Sequence, residues 1–107
     1  MTNQQNKKAM KYHEVKRLQR ETGNEYLQAL IDSGAAWTLE GSVGRAAMDA
    51  LRSGACMLPK KVHYGAYGNR VPSRDEVAPG SIGSFQLSAK FYENLEFWAD
   101  YYDEDAN

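Results

Sequence analysis

Cys56 is the only cysteine of the chain, and His63, Asp75 and Glu76 follow it. A thiol, an imidazole and a carboxylate are the parts of a nucleophilic centre, in which the base takes the proton from sulfur and the acid orients the base. The surroundings point elsewhere. Cys56 lies in Ala55-Cys56-Met57-Leu58, an apolar stretch of the kind that buries an inert thiol. One cysteine and two histidines assemble no metal site of familiar spacing. The carboxylates gather at the C-terminus, a poor place to hold a general acid at fixed geometry. The chain therefore reads as a protein that is not an enzyme, with no metal and no cofactor.

Two other stretches carry binding chemistry. Gly41-Ser42-Val43-Gly44-Arg45 is a glycine-flanked helix start, where free amides and the positive end of the dipole meet an anion and Arg45 closes on it. The GK[ST] ending of a P-loop is missing, and a serine-capped helix after a strand has the same sequence with no ligand. His63 to Arg70 mixes two tyrosines, two glycines and a guanidinium, a combination that stacks on bases or grips phosphate. It equally describes a surface loop that turns at Gly68-Asn69. Ser42, Gly44, Arg45, Arg70 and Arg74 are thus candidates for a small-anion, nucleotide or nucleic-acid site, which is the alternative function.

The C-terminus favours a different one. Phe91 to Asn107 holds six of the twelve aromatics and six carboxylates, with no Lys or Arg. The first twenty residues carry six bases against the single acid Glu14. A formal net charge of −1 hides this dipolar layout, and opposed charge blocks steer association. It also removes the usual signature of a general nucleic-acid binder, although the basic N-terminal segment stays a local candidate. Leu87, Phe91, Leu95, Trp98 and Tyr102 recur at helical spacing, with Tyr92, Phe97 and Tyr101 partly off that stripe. A helix that aromatic either lies deep or faces a partner. Phe91, Tyr92, Phe97, Trp98 and Tyr101 are the expected contact residues, for a protein partner or for a second copy, with the acids as a steering rim.

The elements that must position these residues follow from local signals. Residues 1–9 are polar and expected to be disordered. Met10 to Arg20 is ambiguous, with Met10 and Tyr12 alternating and Val15 and Leu18 at helical spacing, and is read as a strand or extended arm. Thr22 and Glu25 match a capping box opening a helix Asn24 to Ser33, which Gly34 ends. Ala36 to Glu40 alternates Trp37 and Leu39 and reads as a strand. Ser42 is the expected cap of a helix Val43 to Ser53, with Ala46, Ala47, Met48 and Leu51 on a small-residue face and Gly54 as its stop. Ala55 to Leu58 reads as a second strand, stopped by Pro59. Lys60 to Ser84 is a long irregular tract in which Ser73 and Glu76 cap a single turn. The last helix starts near Ser88, and Asp103 to Asn107 is expected to fray because carboxylates oppose the helix dipole there.

The chain of 107 residues is one domain, assigned to 10–102 between a disordered tail and a frayed acidic end at 103–107. Hydrophobic content of 42% and charged content of 25% suit a globular fold. No apolar run approaches the ~20 residues that span a bilayer. With one cysteine and no secretion signal, the expected location is the reducing cytoplasm. The fold class is α+β, with two to three helices packed on a short antiparallel sheet and an aromatic, acidic C-terminal helix.

Gly44 to Leu51, Cys56-Met57-Leu58, Tyr67 to Val77 and Pro79-Gly80 carry one resemblance. Over about Glu21 to Gly83 the chain resembles small uncharacterised proteins of phages, plasmids and integron cassettes. That resemblance implies a mobile-element accessory role, exercised by binding a host or competing factor, and brings no catalytic residues. The basic arm and acidic tail lie outside it. The function read here is non-catalytic protein binding with self-association in such a setting.

Overall fold

The computed structural model describes residues 10–39 and 41–106, with side chains through Glu96. Among the described residues are four α-helices and one two-stranded antiparallel sheet, a mostly helical arrangement. Helices outnumber the two or three expected.

The first helix, α1 (Tyr12–Thr22), stands where an extended arm was expected. The alternation of Met10 and Tyr12 is accidental, because Met10 precedes the helix and is buried while Tyr12 is exposed. Val15, Leu18 and Gln19 form the buried face, at helical spacing. Glu14 Oε1 accepts the Lys11 amide at 2.7 Å, which satisfies a donor at the helix start. Thr22 closes this helix rather than opening the next, its hydroxyl donating to Leu18 O at 2.7 Å. The expected capping box therefore does not form. Helix α2 (Glu25–Ser33) begins after Asn24 and ends at Gly34, as expected.

Gly34 is left-handed and turns the chain into a 3-10 turn at Ala35–Trp37, in place of the expected strand. Trp37 N bonds to Gly34 O, and the amides of Thr38 and Leu39 bond to Ala35 O. Donors consumed this locally are not free for a ladder. Helix α3 (Gly41–Ser53) starts ahead of Val43, so Ser42 sits within its first turn. Of the expected small-residue face, Ala47 and Leu51 are buried, together with Ala50, whereas Ala46 and Met48 are exposed.

Gly54 to Pro59 is a buried irregular strap and not a strand. Its backbone is satisfied mainly by groups from outside it. Ser88 Oγ donates to Gly54 O. Gln19 Nε2 and the Tyr92 hydroxyl both donate to Ala55 O, at 3.1 and 2.7 Å. Gln28 binds both the N–H and the C=O of Met57, at 2.8 and 3.0 Å. Leu58 N reaches Gly83 O, while Arg74 Nε and its amide take Leu58 O and Pro59 O.

The sheet is the hairpin β1 (His63–Tyr64) and β2 (Arg70–Val71), with His63 opposite Val71 and Tyr64 opposite Arg70. Trp37 and Leu39, expected in the sheet, are outside it, though Trp37 O accepts the Ala66 amide and ties the hairpin down. The single turn expected after Ser73 is a 3-10 turn at Arg74–Glu76. Helix α4 (Phe85–Ala106) starts earlier than Ser88. One apolar cluster centres on Ile31, Ala47, Leu51 and Leu58, another on Val15, Leu18, Met57 and Tyr92, and Phe91 packs against both. Among the described residues no helix is long and apolar enough to cross a membrane.

Candidate binding groove

A groove of about 640 Å³ opens between the first three turns of α3 and the 3-10 turn. Trp37, Leu39 and Met48 give it apolar walls, and Arg45, Asp49 and Arg52 stand along it, with Asn69 from the hairpin. These residues meet because Gly34 folds the 3-10 turn back onto α3, with Gly44 only 3.7 Å, by the position of an added Cβ, from Ala36 O. Helical spacing does the rest, setting Arg45, Met48, Asp49 and Arg52 on one outer face of α3. Leu39 and Met48 are exposed, and Arg45 is exposed with no carboxylate pairing it among the described residues. Arg52 makes only a 3.4 Å surface contact with Asp49, worth little in water.

A smaller groove of about 240 Å³ adjoins the first through Trp37, Met48 and Asn69, and adds Arg70, Val71 and the exposed Ile82. Trp37 walls both, and its Nε1 is buried with no hydrogen-bond partner among the described residues. An unmet indole donor is unfavourable by about 1–3 kcal/mol.

The five residues of the expected anion site are not brought together. Gly44 and Arg45 line the main groove and Arg70 the adjoining one. Arg70 pairs with Glu76 at 2.9 Å on the surface. Arg74 faces inward, its side chain 8% exposed, with a 2.9 Å ion pair to Asp32 and a 2.8 Å bond to Leu58 O. That guanidinium holds the strap and is not available to a ligand.

The expected partner surface divides as well. Tyr92 is fully buried, its ring meeting Phe91 edge-on at 4.8 Å and its hydroxyl bonded to Ala55 O and Asn24. It is a core residue because α4 carries Ser88, Ala89 and Tyr92 on the face that covers the strap. Phe91 is half-buried and lines a shallow groove of about 470 Å³ with Leu87 and Leu95. Phe97, Trp98 and Tyr101 lie outside the residues with described side chains.

Cys56 and His63 do not form a pair. The thiol is fully buried and directed at Asn24 O, and burial pushes its pKa up to about 12. The His63 ring donates from Nε2 to Asp32 O at 3.0 Å and rests against Gly34. Among the described residues no group of three His, Cys, Asp or Glu side chains is placed to hold a metal ion.

The groove residues Trp37, Leu39, Met48, Arg52 and Asn69 were not legible as a site. One signal was present, the methionine set between Arg45 and Arg52 on the outer face of a helix whose inner face is alanine. No protein-family model, curated protein or solved structure matches this chain.

Proposed function

We propose that this chain is a non-catalytic protein-binding module, and that the Trp37–Met48 groove is the surface that receives its partner. The observation that carries the reading is the groove itself, an apolar trough of about 640 Å³ with an unpaired guanidinium at its edge. Apolar walls with a few charged groups suit a peptide segment that brings aromatic or aliphatic anchors and a carboxylate. The unmet Trp37 Nε1 supports it, because a fold usually leaves such a group only where another demand competes with stability. The inward commitment of Arg74 and the burial of Cys56 both count against the anion and catalytic readings. The same proposal takes residues 10–102 as the working α+β domain of a cytoplasmic accessory protein. Its mobile-element setting rests on the resemblance over residues 21–83.

A peptide-display selection on the full chain tests this. Peptides enriched by the native chain and lost on a Met48→Glu variant of unchanged far-ultraviolet spectrum support the groove as receptor. Selection that yields no peptide, or peptides indifferent to Met48→Glu, removes it.

A further inference from the structure

The groove and the C-terminus are complementary in both properties that matter for docking. The groove offers Trp37, Leu39 and Met48, and two guanidinium groups against one carboxylate. Residues 97–105 offer Phe97, Trp98, Tyr101 and Tyr102 beside Asp100, Asp103, Glu104 and Asp105, with no base. Aromatic side chains are the usual anchors of apolar pockets, and carboxylates beside them meet the arginines on the rim. A chain cannot fill its own groove this way. Its α4 shares a buried apolar cluster with α1 (Val15 and Leu18 with Ala89 and Tyr92), Glu93 accepts the amide of Met10 just ahead of α1 at 3.3 Å, and α4 continues as helix to Ala106. A continuous helix does not double back onto α3.

We infer that the occupant of the Trp37–Met48 groove is the acidic, aromatic C-terminal segment of a second copy of this chain, an inference that rests on the protein-binding reading above. Reciprocal insertion gives a closed two-fold dimer in which each copy supplies one groove and one tail. The contact is apolar at its centre and charged at its rim, so it weakens as salt screens the arginines.

Charge exchange in the full-length protein tests the pairing. Sedimentation velocity over a concentration series, at low and high salt, would compare four chains. These are the native protein, the groove variant Arg45→Glu with Arg52→Glu, the tail variant Asp103→Lys with Glu104→Lys and Asp105→Lys, and the chain carrying all five changes. All the substituted groove arginines are exposed, and lysines suit a helix C-terminus, so folding is preserved. The native chain is expected at twice its 12.0 kDa mass. Each reversed chain should associate about tenfold more weakly or worse, and the five-fold variant should recover to within about threefold of native.

A native monomer at every concentration overturns the inference. So does association that ignores the groove reversal, which would mark the Leu87–Phe91–Leu95 face instead, and so does a combined variant that fails to recover. A monomer that still selects Met48-dependent peptides leaves the protein-binding reading standing without this occupant. Absence of such peptides removes the reading itself.

Discussion

Gln19 Nε2 donates to Gln28 Oε1 across 2.8 Å, with both side chains fully buried. Gln28 uses all its hydrogen-bonding capacity there. Its oxygen also accepts the Met57 amide, and its nitrogen donates to Met57 O and to Asp32. The Met57 amide can only donate, which fixes the orientation of the side chain. Gln28→Leu fills similar volume yet strands Met57 N, Met57 O and one donor of Gln19. At about 1–3 kcal/mol for a stranded group, a loss of about 3 kcal/mol is expected in urea unfolding. Loss below about 1 kcal/mol would show that the strap is held by packing and not by this amide.

Arg74 and Asp32 form the second tie. The ion pair is mostly shielded, and Arg74 also reaches Leu58 O and lies 5.9 Å from the Tyr12 ring centre. Arg74→Met should lower stability by about 2–4 kcal/mol, because a partly buried carboxylate loses its partner. Arg74→Lys should recover little of this. One ammonium cannot reproduce a planar fork that serves a carbonyl and a carboxylate at once. Recovery to within about 0.5 kcal/mol of native would mean that charge alone matters.

Gly23 and Gly54 share a left-handed backbone, at φ +83° and +98°, but differ in their surroundings. An added Cβ at Gly23 meets nothing within 4 Å, whereas at Gly54 it falls 2.8 Å from Leu87 O and 2.9 Å from Phe91 Cβ. Gly23→Ala should therefore show only the conformational penalty, about 1 kcal/mol. Gly54→Ala adds a collision with the helix α4 backbone and should be worse by about 2 kcal/mol or more. Equal losses in thermal unfolding would indicate that α4 shifts freely on α3.

Burial raises the Cys56 pKa from 9.0 to about 12, and burial also raises that of Tyr92. Between those values the unfolded chain releases the thiol proton while the folded chain keeps it. Unfolding then gains from rising pH, so stability present below pH 9 is lost progressively toward pH 12. Cys56→Ala should flatten that decline in part, leaving the contribution of Tyr92. Thiol titration at neutral pH should be slow in the native chain and immediate in denaturant. Fast native modification would show that the strap opens without unfolding.

Helix stops were legible because a left-handed glycine announces itself, and Gly34 and Gly54 ended α2 and α3 where expected. Helix α1 was not, because few apolar residues mark its buried face and the largest inward polar group is Gln19. Glutamine has no reason to read as core until its partner is known. Thr22 misled for a related reason, since a threonine hydroxyl serves a last turn as readily as a first. The Ala55–Leu58 run reads as a strand from composition alone, yet its partners are side chains from α1, α2 and α4. The candidate anion site broke up on a contact 42 residues apart, Arg74 with Asp32, that no local pattern encodes. The groove was hidden because it depends on where the 3-10 turn meets α3.

The clasp on Met57 has a kinetic meaning. Its amide hydrogen sits on an oxygen shared with α1, and its carbonyl on the same amide group of α2. Letting water reach that hydrogen requires α1, α2 and the strap to separate together. Met57 should therefore exchange its amide hydrogen with solvent only through whole-molecule opening, and so report the global free energy from a single position. A protein clasped this way offers proteases no half-open strap to cut.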